Sequence, residues 1–162
     1  MNTGKNDYIC GYVCIPGYAL RRVGVRVNRN ILKLLRLMKP IVTSAAPAAI
    51  GPYSQAIEVN GFVYASGQLP IDPATGAFPE GGVQEQTRQS LLNVKAILEE
   101  AGLTLANVVK TTVYLADMGD FAAMNEIYSQ FFSQPFPARS AVAVKALPKG
   151  ALVEVEVIAA RG

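Results

Sequence analysis

From Val83 to Gly102 the chain reads VQEQTRQSLLNVKAILEEAG, and Val83, Thr87, Leu91, Val94, Leu98 and Ala101 recur at steps of three and four residues. That spacing lines one side of an α-helix, whereas strand residues alternate between faces. Gly102 is the expected stop, because glycine enters the left-handed conformation that closes a helix without a Cβ penalty. An amphipathic helix of this length has to lay its apolar stripe on something, and the segments around it are strand-like. YSQAIEVNGFVYASGQ, residues 53–68, reads as two short strands around Asn60-Gly61, the strongest two-residue hairpin signal. A loop rich in Pro, Gly and Asp fills residues 71–82.

VVKTTVYLAD, residues 108–117, is β-branched and alternating, with Val109, Thr111, Val113 and Leu115 on one face. A second helix is expected from about Phe121 to Phe132, since Phe121, Met124, Ile127, Tyr128 and Phe131 fall on one side. ARSAVAVKA and ALVEVEVIAA then read as two closing strands joined across LPKG. The order ββαβαββ predicts an α+β fold, a mixed sheet with two helices on one face.

That pattern occupies residues 38–162, and the charge changes where it begins. Residues 1–37 hold seven basic side chains and one acid, a net of +6, while residues 38–162 hold eight basic and eleven acidic ones, a net of −3. The body is therefore not expected to bind nucleic acid through a broad basic surface. The head has no sustained period beyond a short basic amphipathic stretch, ILKLLRLM, and is interrupted by Gly and Pro. It is read as a basic extension outside the fold, with three origins open: an organellar transit peptide, a functional arm, or residues ahead of a start at Met38. No apolar run reaches membrane-spanning length.

Composition removes several chemistries. With no histidine anywhere, Ser-His-Asp and Cys-His mechanisms and imidazole zinc sites are excluded. Cys10 and Cys14 form C-x3-C, one pair short of a tetrathiolate site, and read as two ordinary thiols. A body without cysteine fits a reducing compartment, so a cytoplasmic location is expected, or an organellar one if the head is a transit peptide.

In a chain with so few charges, Arg139 stands out at the start of a small-residue strand. Arg139, Ala141, Ala143 and Lys145 share one face; along the last strand Val153, Val155 and Val157 point one way and Glu154, Glu156 and Ile158 the other. Two readings stand. One is a cross-strand ion pair of Arg139 with Glu154 or Glu156 on a solvated face, worth up to about 1 kcal/mol. In the other a neighbouring subunit covers that face, and the desolvated guanidinium grips a carboxylate bidentately.

APAAIGPYSQA, YASGQLPIDPATG, VVKTTVYLADMGDFAAMNEIY and FPARSAVAVKALPKGALVEVEVIA together resemble the signatures of the Rid (reactive intermediate deaminase) family, close to its RidA branch, from about Met38 to Arg161. The resemblance implies a chorismate-mutase-like α+β fold assembled as a homotrimer with sites between subunits. It also implies hydrolysis of 2-imino and enamine acids, such as 2-iminobutanoate and 2-iminopropanoate, to 2-keto acids and ammonia, with no metal or organic cofactor. Carried onto this chain, Arg139 binds the substrate carboxylate and Glu154 orients or activates water, while Tyr53, Ser66, Gly67 and Asn125 line the pocket. Read on their own, Tyr53 packs in the hairpin, Asn125 is a helix-surface amide and Ser66 serves its turn. Ala141 stands where many relatives have cysteine, so thiol-based regulation is not expected.

The implied reaction is chemically modest. Imines hydrolyse readily, so a catalyst has to hold a short-lived anion, place one water and manage a proton. An arginine and a carboxylate suffice, with groups near Ser66-Gly67 helping a proton reach nitrogen. Two other functions share these residues: a non-catalytic module that binds keto acids, and an endoribonuclease or translation inhibitor.

Overall fold

The computed structural model describes residues 7–13, 21–27 and 38–162 and divides the chain into two units, Met1–Met38 and Lys39–Gly162. In the first unit β1 (Asp7–Val13) and β2 (Arg21–Val27) pair antiparallel, from Asp7↔Val27 to Val13↔Arg21. The head thus contains a ribbon where no period was expected. The alternation Val23, Val25, Val27 is short, and nearby Gly and Pro mask it in the sequence. Of the basic amphipathic stretch, residues 31–37 lie outside the described residues.

The second unit runs β3 (Lys39–Ile41), β4 (Ala56–Val59), β5 (Phe62–Gln68), α1 (Val83–Glu100), β6 (Val108–Leu115), α2 (Phe121–Phe131), β7 (Ala138–Ala143) and β8 (Val153–Ala160). Its sheet has the order β3-β4-β5-β8-β6-β7, antiparallel except for the parallel pair β6–β7. The expected ββαβαββ mixed sheet is present, with β3 added at one edge. Pro40 sits in that edge strand, where a missing N–H costs least.

Local chemistry explains the boundaries. Asn60 and Gly61 both take positive φ, 51° and 79°, as a type I′ turn between β4 and β5 requires. Helix α1 ends as its sequence indicates: Gly102 has φ 70°, its N–H donates to the Glu99 carbonyl at 2.9 Å, and the Leu103 N–H donates to Leu98 at 2.8 Å. This pattern satisfies carbonyls that the last turn leaves open.

Both helices cover one face of the sheet. Leu91, Val94, Ile97 and Leu98 of α1 and Met124 of α2 are fully buried over Val63, Val113, Leu115, Val153, Val155 and Val157. Burying each such side chain stabilises the fold by about 1.5–3 kcal/mol. The other face stays open and carries Phe62, Tyr64 and Val142, each more than two-fifths exposed, beside Glu154 and Glu156. Among the described residues no helix is long and apolar enough to cross a membrane.

Two expectations about faces need correction. Val109 does not join Thr111, Val113 and Leu115 inside; it is exposed while Val108 is buried. A register shift between Val108 and Lys110 against β8 inserts one residue, and a bulge of this kind breaks strict alternation. The second correction concerns Arg139, which is not on the face of Glu154 and Glu156. β7 pairs with β6 rather than with β8, and Arg139 is in register with Thr111, which is itself in register with Val157 on the helix-covered side. Glu154 and Glu156 lie in register with Tyr114 and Thr112 on the open side. The proposed cross-strand ion pair is therefore geometrically absent, and within the chain helix α2 packs against the Arg139 face.

Candidate active site

The expected site residues fall into two clusters. The first forms where edge strand β7 meets α2. Arg139 is half-buried, and its Nη1 donates to Asn125 Oδ1 at 2.8 Å. Its guanidinium carbon lies 4.5 Å from the centre of the Tyr128 ring and 5.5 Å from that of Phe121. A cation over an aromatic face is attracted to the ring's electron density, most strongly when water is thin. Asn125 is thus an arginine partner, not a helix-surface amide. Tyr128, Ser129, Phe136 and Pro137 join these two residues around a cavity of about 300 Å³.

The second cluster lies across β5 and β8. Between Ala65 and Gln68 the β5–β8 register slips by one residue, so Ser66 and Gly67 form a bulge. Glu154 reaches over this bulge, and a Cβ built on Gly67 would overlap its carboxylate. The constraint on Gly67 is one of space rather than backbone angle: a side chain there has to displace the flexible end of Glu154. Burial raises the Glu154 carboxyl above the usual carboxylate range, and the charge of Glu156 adds to the shift. A carboxyl so placed exchanges a proton nearer neutrality than a solvated one does.

Ser66 Oγ donates to the Ser54 carbonyl at 2.7 Å, and Ser66 N–H donates to Gln55 at 2.9 Å. Its hydroxyl proton is therefore engaged in holding residues 54–55, and only lone pairs remain for a ligand. Gln55 fixes the same segment through its side chain, donating to the carbonyls of Thr43, Ala46 and Pro47. Tyr53 precedes β4 and does not pack in the hairpin; it is half exposed and lines a small cavity with Ile50, Gly67 and Leu69.

Within the chain the structure joins Arg139 to Asn125, and Glu154 to Gly67, with Ser66 and Tyr53 beside the latter pair. It does not join the two clusters: Arg139 is on the helix-covered side of β7, and Glu154 is on the open side of β8 with β6 between them. Tyr128 and Phe136 were missing from the residues read as functional. Tyr128 lies three positions after Asn125 on α2, a spacing that places both on one side, but its apolar period assigned it wholly to the core. Among the described residues, no group of three or more His, Cys, Asp or Glu side chains could hold a metal ion.

An α+β protein with an anion-ready arginine beside an aromatic cavity is the class that fold and site define, and its family can be stated. Residues 43–161 match the family model described as Endoribonuclease L-PSP, so the chain belongs to that family. It is 55% identical over 122 residues to a 2-iminobutanoate/2-iminopropanoate deaminase of Capra hircus, covering 75% of this chain and 89% of that relative. It is 56% identical over 119 residues to a RutC family protein of Pyrococcus abyssi, covering 74% and 94%. The crystal structure of RidA from a Psychrobacter species superposes with a TM-score of 0.73 at 50% identity, covering 76% of this chain and 99% of that one. Within the family the chain falls with the RidA branch.

Proposed function

We propose that this protein is a hydrolytic deaminase for short 2-imino and enamine acids, with 2-iminobutanoate and 2-iminopropanoate as substrates, acting as a homotrimer whose sites form between protomers. The observation that carries this reading is Arg139: a half-buried guanidinium held by a neutral amide and two rings, opening on a cavity, with its charge left for an incoming carboxylate. The relatives named for this activity support it.

The two-cluster arrangement bears on assembly. A protomer that carries the carboxylate binder on one side of its sheet and the proton-handling carboxyl on the other completes a site only by meeting a second copy. A head-to-tail contact of that kind closes into a ring. The open face with Phe62, Tyr64 and Val142 supplies apolar surface for such packing.

The chemistry follows from the two groups. Arg139 fixes the substrate carboxylate, and Glu154 of a neighbouring copy takes a proton from a water as its oxygen bonds to the imine carbon. The C=N electron pair moves to nitrogen, which takes that proton to give a carbinolamine; the hydroxyl proton then moves to nitrogen as the C–N bond breaks, ammonia leaves, and the carbonyl of the 2-keto acid remains. Positioning supplies most of the acceleration, because the uncatalysed barrier is low.

The test generates 2-iminobutanoate in situ with a threonine dehydratase and follows its loss by semicarbazide trapping. The protein is expected to speed that loss and Arg139→Ala to abolish the effect; equal rates for the two proteins would end the proposal. Saturable binding of 2-oxobutanoate without acceleration would instead mark a keto-acid-binding module. The endoribonuclease reading, which the family description carries, is disfavoured by the net −3 charge of residues 38–162. Arg139-dependent cleavage of RNA by nuclease-free protein would revive it.

A further inference from the structure

Tyr128 closes a ring of contacts around Arg139. Its side chain is 5% exposed, and its phenol oxygen is 2.9 Å from Thr111 Oγ1 in a buried hydrogen bond. Thr111 is the β6 residue in register with Arg139 on β7. The strand that carries the arginine is therefore tied by its ladder to Thr111, Thr111 is bonded to the tyrosine, and the tyrosine ring faces the guanidinium at 4.5 Å. Phe132 packs against the ring at a centroid distance of 4.5 Å, and Asn125, one turn earlier on α2, holds Nη1. A buried phenol needs a hydrogen-bond partner for its own sake. It does not need to present its face to a cation.

We propose that Tyr128 is a positioning residue for carboxylate recognition: its ring, set at a fixed angle by the Thr111 hydroxyl, holds the Arg139 guanidinium flat so that the edge not bonded to Asn125 is presented to the cavity. A planar fork grips a carboxylate bidentately only when its edge is aimed, so orientation of the plane translates into affinity. Phe121 extends the same aromatic platform. The identity of the bound acid rests on the deaminase reading; the control of arginine orientation does not.

The experiment compares Tyr128→Leu, Tyr128→Phe and Thr111→Val in the full chain. Tyr128→Leu removes the platform and is expected to raise KM for 2-iminobutanoate, and Kd for 2-oxobutanoate by calorimetry, by about tenfold with kcat within about twofold. Tyr128→Phe and Thr111→Val keep a ring under the cation and are expected to lose no more than about threefold, with Tyr128→Phe recovering most of what Tyr128→Leu loses. The same proteins, labelled with ¹⁵N, report the geometry directly. The Arg139 Nε–H resonance, assigned by its loss in Arg139→Lys, is expected upfield from the ring current in wild type and shifted downfield in Tyr128→Leu. An unchanged KM or an unchanged resonance in folded Tyr128→Leu overturns the inference. Should wild type neither bind nor turn over these acids, the deaminase reading fails, and the resonance alone then decides whether the ring orients the arginine.

Discussion

Arg161 and Arg139 hold the same group in contrasting surroundings. Arg161 donates through Nε and Nη2 to both Glu58 oxygens, at 2.6 and 3.0 Å, and Nη2 also reaches the Ala101 carbonyl at the end of α1. Its charge is neutralised, and it links the C-terminus to β4 and to the helix cap. Arg139 has only a neutral amide and aromatic faces; among the described residues the ion pairs are Arg161–Glu58 and Lys95–Glu99. Arg161 braces the fold with its anion in hand, whereas Arg139, to which the proposed function gives a carboxylate, is held by groups that leave its charge uncompensated.

Exchanging the two positions gives the largest contrast. Arg139→Ala is expected to cut imine turnover by at least about 100-fold with the melting temperature unchanged, while Arg161→Ala keeps turnover within about twofold and lowers the melting temperature. Turnover assays and thermal scans on both proteins check this pair, and parallel behaviour would erase the distinction.

The separation of the arginine cluster from the carboxylate cluster can be tested by mixing. Arg139→Ala and Glu154→Gln proteins are each expected to be inactive, yet their co-expression at equal amounts should restore about a quarter of wild-type activity, because one interface in four then carries both intact residues. No restoration would place both groups in a single protomer's site.

Gly67→Ala pushes a methyl into the Glu154 carboxylate. It is expected to lower kcat by about tenfold or more while leaving 2-oxobutanoate binding at Arg139 largely intact, read by kinetics beside calorimetry.

The smallest effect is a pair of opposite pH signatures. Burial, and after it Glu156, raises Glu154 above the ordinary 4.5, so ionising it in the fold costs stability as pH rises through the raised value. Glu154→Gln should melt higher than wild type at neutral pH and match it below pH 4.5. Glu58 is lowered chiefly by its hydrogen bond from Arg161, so its contribution is present above 4.5 and lost as pH falls through the lowered value. Glu58→Gln should melt lower at neutral pH and converge with wild type in acid.

What was legible in the sequence was what neighbours along the chain decide. The α1 stripe, the Gly102 stop and the Asn60-Gly61 turn depend on residues a few positions apart, and the structure reproduces each of them. The side of the sheet on which Arg139 lies depends on which strand accepts β7, a pairing 28 residues distant (Thr111↔Arg139) that alternation within β7 does not encode. Strict alternation also misplaced Val109, because a bulge inserts a residue without a local mark. Among the candidate site residues, Asn125 and Arg139 meet, as do Gly67 and Glu154. Tyr128 escaped notice because one residue serves as core and as platform, and an apolar period reports only the first.

The bulge at Gly67 also constrains how this protein can diverge. Glu154 occupies the space a Cβ at Gly67 would take, so any larger residue there displaces the carboxylate. Phe136 and Ser129 border the separate cavity at Arg139, where Phe136 projects into solvent and can be trimmed or enlarged without opening the core. On the proposed function, appetite for bulkier acids is acquired on the aromatic rim at Arg139, while the residue beside Glu154 stays small.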